Sequence, residues 1–281
     1  MASVLLAARN ILKAWLLLVG ACAVLGAVGW ALGGYRLASA LVFTGFLLGG
    51  AAYWYVDRFV LTLLGARELP VGEAPALHST IARLAAAASM PSPKLYLISA
   101  PHPHALATGH GPRGGAAVAV SSGLVAACPP AELEGVLAHE LAHIRNRDVL
   151  VTTAVVATAI TIVELSRIGG FLQRALLFVF GPVAAACVHL MLSPKREFAA
   201  DRRAAELCGS PHGLADALIR LEQANELIEF RGSPAVEPLY TINPFAEEGL
   251  AALFVTHPPV GERVQRLRAL DPSWRERLRA A

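Results

Sequence analysis

Two uncharged runs near the N-terminus, the 22 residues Ala14–Tyr35 and the 20 residues Leu37–Val56, are separated by Arg36 alone. As helices rising 1.5 Å per residue, each is long enough to cross a hydrocarbon core of about 30 Å. Lipid offers no partner to a bare backbone amide, so runs of this kind admit little besides helices. Residues 1–63 therefore read as a transmembrane helical hairpin that turns between Gly33 and Arg36. A cleaved signal peptide has a shorter apolar stretch and no second span directly behind it. Composition agrees: 55% of the 281 residues are hydrophobic and only 16% charged, too apolar for a soluble domain of this length.

A second apolar pair falls at 149–194. Val149–Val163 has 15 uncharged residues, and Ala175–Pro194 has 20, with Pro182 and His189 inside. The first is short for a full crossing, so a buried or partly inserted helix competes with a second hydrophobic hairpin. Arg9 and Lys13 precede the first span and only Arg36 follows it. That bias places both termini in the cytosol. The net charge of +3 suits anionic lipid headgroups and implies no nucleic-acid module. Cys22 and Cys187 fall in apolar runs, and Cys128 and Cys208 lack CxxC spacing, so neither a disulfide framework nor a zinc knuckle is indicated.

Between and after the apolar pairs the chain reads as α+β. In residues 64–148, Leu77–Met90 has the pattern of an amphipathic helix, and Lys94–Ser99 and Ala116–Ser121 read as strands separated by the Gly/Pro-rich stretch Ser99–Gly115. A helix then begins at Pro129 and Pro130, with Glu132 and Glu134 early and an apolar stripe of Leu133, Val136, Leu137, Leu141 and Ile144. Gly135 is its one weak point, since glycine inside a helix costs about 1 kcal/mol relative to alanine. Residues 195–281 read as mainly helical, broken by Gly232–Pro244 and by Pro258 and Pro259.

That helix carries His139-Glu140-Leu141-Ala142-His143. Histidines four apart share one helical face and can grip one metal ion, and the carboxylate beside them can take a proton from the attacking water. This is the chemistry of a metallopeptidase. A catalytic zinc needs a third protein ligand. Glu197, in Lys195-Arg196-Glu197-Phe198-Ala199-Ala200-Asp201, is the best candidate, with Asp201 one turn on and able to bond a ligand histidine. The competing reading makes Glu197 and Asp201, with Arg196, Arg202 and Arg203, a charged helix face at the membrane surface.

HELAH followed by two apolar segments and KREFAAD resembles the HtpX family of membrane-bound zinc metalloproteases, relatives of the CAAX prenyl proteases. The likeness covers nearly the whole chain and includes AVAVSSGL at Ala117–Leu124, HELAHIRNRD at His139–Asp148 and THPPVGER at Thr256–Arg263. It implies a gluzincin-like fold in which His139, His143 and Glu197 hold one zinc ion per chain. Glu140 is then the catalytic acid and base, and Asp201 supports a ligand. His257 and Arg263 match a His followed six residues on by Arg that approaches substrate in the related prenyl proteases. Such groups could supply a donor where charge develops on the attacked carbonyl; a helix-capping turn is the alternative.

Where the family usually reads Asn-Ala-Phe-Ala, this chain has His104-Ala105-Leu106-Ala107. His102, His104 and His110 sit in a Pro/Gly stretch without ligand spacing and read as surface histidines, not a second metal cluster. Substrate backbone is expected to pair along Ala116–Ser121.

The resemblance implies an endopeptidase in a bacterial-type inner membrane that cuts unfolded or membrane-protein segments on the cytosolic side, in stress-linked quality control. A CAAX-type protease needs more spans, and an intramembrane protease would carry its motif in an apolar helix, whereas Arg145, Arg147 and Asp148 follow this one. A noncatalytic zinc-stabilised scaffold would usually close its site with four protein ligands.

Overall fold

Helix α1 (Ala2–Leu63) is broken at Gly33 and Gly34, and the chain reverses there. Gly34 has φ +69°, a backbone state that a side chain disfavours. The arms return alongside each other: Gly29 lies against Ala38, Gly26 against Val42, Gly45 against Leu25 and Gly49 against Leu18. The pairs move outward from the break on both arms, the signature of an antiparallel hairpin. The stretch Leu18–Ala51 is long and apolar enough to cross a membrane. Trp15, Trp30, Tyr35, Phe43, Phe46, Trp54 and Tyr55 stand exposed along the two arms of α1.

The computed structural model describes residues 2–109, 115–149, 194–227, 258–271 and 273. Nearly all of the second apolar pair at 149–194 lies outside them, as do His110, His189 and His257.

After α1 come β1 (Ala66–Glu68), α2 (Pro75–Ala87), β2 (Lys94–Ile98), β3 (Ala105–Thr108), β4 (Ala117–Ser121), α3 (Ser122–Ala127) and α4 (Pro130–Asn146). Then follow α5 (Pro194–Cys208), α6 (His212–Leu227) and α7 (Val260–Ala269). The strands form one sheet in the order β1-β2-β4-β3. Strand β4 pairs in parallel with β2 and antiparallel with β3, and β1 pairs antiparallel with β2. Side chains alternate in β4, and both of its faces are buried. Ala117 and Ala119 join Ile98 and Leu106 against Val60 and Leu61 of α1, while Val118 and Val120 join the main core of α2, α4, α6 and α7. The last turns of α1 are thus part of the globular core, and the hairpin is continuous with the body that follows.

Two sequence expectations change here. Strand β4 is central, with both edges occupied, so Ala116–Ser121 cannot pair a substrate as expected. Among the described residues β3 is the outer strand beyond β4, and it arises inside the stretch read as a Gly/Pro-rich connection. His102 and His104, expected on the surface, are buried. The backbone N–H of His104 donates to Ser121 Oγ at 2.9 Å, and its Nδ1 lies 2.9 Å from the carbonyl of His102. Burial holds the His104 imidazole down to a pKa of about 4, so it is neutral.

Helix α4 begins with Pro130 in its first turn and ends at Arg147, whose left-handed conformation (φ 59°) stops it. Gly135 has a packing reason. A Cβ there would come within 2.5 Å of the Leu214 backbone nitrogen, so α4 and α6 cross backbone to backbone at this point. Glu132 and Arg220 fasten the same crossing with paired bonds of 2.6 and 2.9 Å.

Candidate metal centre

Helix α4 turns His139 and His143 to one side, as the four-residue spacing requires, and α5 packs its first turn across them. The two Nε2 atoms are 3.1 Å apart. Glu197 Oε2 lies 3.6 Å from Nε2 of His139 and 3.7 Å from Nε2 of His143. Donors held at ordinary zinc bond lengths in a tetrahedron are spaced by roughly 3.3 Å. The three side chains are accordingly placed to share one metal ion, and they form the one such cluster among the described residues.

Each donor is held from behind. His139 Nδ1 lies 2.9 Å from Asp201 Oδ1, and His143 Nδ1 lies 2.9 Å from Asp148 Oδ2. With a metal bound, a proton kept on each Nδ1 would leave each Nε2 as the donor atom on the side of Glu197. The other Glu197 oxygen, Oε1, accepts from Arg196 Nη2 at 3.3 Å. Glu197, Asp201 and Arg196 are all buried, which overturns the reading of a solvated charged face. Only Arg202 and Arg203 keep to that pattern, paired in the open with Glu206.

Arg263 comes from α7, and its side chain is fully buried. It donates from Nε to Asp201 Oδ2 at 2.9 Å and from Nη2 to Asp201 Oδ1 at 2.7 Å. Nη2 also lies 3.4 Å from His139 Nε2, so the guanidinium borders the metal position. Glu140 is buried beside the ligands, and its charge is among those that raise the Arg263 pKa.

The electrostatics follow from this crowding. Burial opposes charge on Asp201, but the Arg263 guanidinium and its bonds outweigh that and hold the carboxyl down at about 2. Burial likewise works against a charged His143, yet Glu197 and Asp148 outweigh it and push the imidazole up to about 10. A metal ion entering the site therefore displaces a proton. Burial pushes the Cys128 thiol up to about 11 and the Cys208 thiol to about 12, so neither competes as a thiolate ligand.

Sequence reasoning found His139, Glu140, His143, Glu197, Asp201 and Arg263, and the structure brings all six together. It missed Asp148, which lies beyond the end of α4, and Arg196. The one available signal for Asp148 was an acid in a basic stretch directly after the histidine pair.

A buried HExxH pair completed by a glutamate from a second helix, on an α+β body with a small mixed sheet, defines a metalloprotease. The model of Peptidase family M48 matches residues 72–271, and the chain belongs to that family. It is 40% identical to the "Protease HtpX homolog" of Pelotomaculum thermopropionicum, over 93% of this chain and 99% of that one. The "Protease HtpX homolog" of Aquifex aeolicus is also 40% identical, over 86% of each chain. Among solved structures, the crystal structure of S. mikatae Ste24p superposes with a TM-score of 0.51 at 20% identity. That match covers 93% of this chain and 66% of the other, and it is a likeness of fold.

Proposed function

We propose that this chain is a zinc-dependent endopeptidase anchored in the cell membrane, with its site at the cytosolic face, that cuts unfolded or membrane-protein segments as part of membrane quality control. The observation that carries the reading is the convergence of His139 Nε2, His143 Nε2 and Glu197 Oε2 on one point, with Glu140 beside them. Neutral imidazoles and a carboxylate are the donor set that zinc takes in catalytic sites. When bound, zinc polarises the scissile carbonyl and makes water a nucleophile near neutral pH. Glu140 receives the proton of the attacking water and delivers it to the leaving amine. Asp201 and Asp148 fix the tautomers of the two histidines, and Arg196 orients Glu197.

His257 lies outside the described residues, and its place in the THPPVGER segment supports a contact with the attacked carbonyl. The membrane reading rests on the exposed apolar hairpin of α1. Because α1 runs unbroken from Gly34 into the core at Val60 and Leu61, the site stands close to the bilayer surface. The charged end of α4, with Arg145 and Arg147, favours a site outside the hydrocarbon.

The test is digestion of an unfolded model polypeptide by the purified full-length protein in detergent. Cleavage that stops on chelation and returns with stoichiometric zinc supports the reading. Cleavage indifferent to chelation, or absent with one zinc bound, contradicts it.

A further inference from the structure

Asp148 is a buried acid just past the C-terminus of α4, and burial makes a carboxylate without a donor costly. One donor to it is Nδ1 of His143, 2.9 Å from its Oδ2. A regular helix could not make this contact. Five residues of helix rotate by about 140° beyond one full turn, which would carry Asp148 to another side of α4 from His143. The left-handed backbone of Arg147, φ 59° and ψ 25°, breaks the rotation and returns the chain under the histidine. A residue other than glycine adopts that state at a cost of about 1–2 kcal/mol.

We propose that Asp148 is the positioning residue of His143: through the turn at Arg147 it fixes the ring's tautomer and orientation, so that the second zinc ligand is preformed independently of the Asp201–Arg263 pair that holds the first. This rests on the zinc reading above. Each ligand histidine then has its own carboxylate, one from α5 and one from the segment that ends α4.

The test uses the full-length protein in detergent, with zinc affinity measured by chelator competition and the ligand field read from the visible absorption of the cobalt-loaded form. Asp148→Ala is expected to weaken zinc binding roughly 10²-fold and to alter the cobalt bands. Asp148→Asn keeps the shape and an accepting oxygen, and is expected to lose about tenfold with the cobalt bands largely restored. The apo proteins are compared by thermal unfolding. A purely structural Asp148 would lower apo stability yet leave the zinc affinity of the folded fraction unchanged, which would overturn the proposal. Should Asp148→Ala fail to fold, Asp148→Asn decides alone, and wild-type affinity in that variant overturns it. Wild-type protein that binds no zinc would remove both the zinc reading and this proposal; tight wild-type binding with unchanged variants removes only the proposal.

Discussion

Arg263 grips both carboxylate oxygens of Asp201, from Nε at 2.9 Å and Nη2 at 2.7 Å, and Asp201 in turn meets Nδ1 of His139 at 2.9 Å. A chain of three side chains from α7, α5 and α4 thus ends on a metal ligand. The guanidinium is fully buried, and Asp201 is the first of the acids that compensate its charge, ahead of Glu197 and Glu140. Arg263, expected from the sequence to contact substrate or the developing oxyanion, thus also has a partner in Asp201. Its two-pronged bond to Asp201 supports a role in holding His139.

Breaking a buried ion pair from one side typically costs 3–5 kcal/mol, because the remaining charge is stranded. Arg263→Ala is accordingly expected to lose about 3 kcal/mol of stability and to bind zinc more weakly. Arg263→Lys restores the charge without the fork and recovers only part of either. Thermal unfolding and zinc content check both. A stable Arg263→Ala protein with normal zinc and slowed turnover would return Arg263 to the substrate-facing role.

The same pair sets an acid limit. Asp201 titrates near 2 in the folded chain against an ordinary 3.8, so its contribution is present in full above 3.8 and disappears as pH falls towards 2. The shift corresponds to about 2 kcal/mol. The stability gap between wild type and Asp201→Asn should be constant from pH 7 to 5 and close between roughly pH 4 and 2. A gap that closes near neutral pH contradicts this assignment.

Glu197 reaches the metal position only because α5 packs across α4. Glu197→Ala is expected to lower zinc occupancy and proteolysis together, since one of three protein ligands is gone. Full zinc occupancy in that variant would move the third ligand elsewhere.

Topology follows from the hairpin. In a background lacking Cys22, Cys128, Cys187 and Cys208, a single cysteine at Gly34 should react with an impermeant reagent from outside the cell. One at Glu73, exposed on the globular side, should react only after lysis. Outside labelling at Glu73 contradicts a cytosolic site.

What the sequence made legible was local periodicity. The four-residue spacing placed His139 and His143 on one face, and the uninterrupted apolar runs defined the α1 hairpin. Glu197 and Asp201 were legible as a second pair one turn apart. Contacts that depend on long-range pairing or on unusual backbone were hidden. The central place of β4 arises from its parallel pairing with β2 across some 20 intervening residues. Asp148 meets His143 only through a left-handed arginine, for which no residue type is diagnostic. His102 and His104 lie in a stretch whose prolines and glycines suggest exposure, yet the Ser121 bond draws that stretch into the core.

Proton transfer by Glu140 at a metal held by other residues is read from zinc content and turnover of purified Glu140→Gln beside wild type. About one zinc per chain is expected in both proteins, with a loss of turnover of roughly 10³-fold or more in the variant. Near wild-type turnover in Glu140→Gln, with zinc bound, would contradict it.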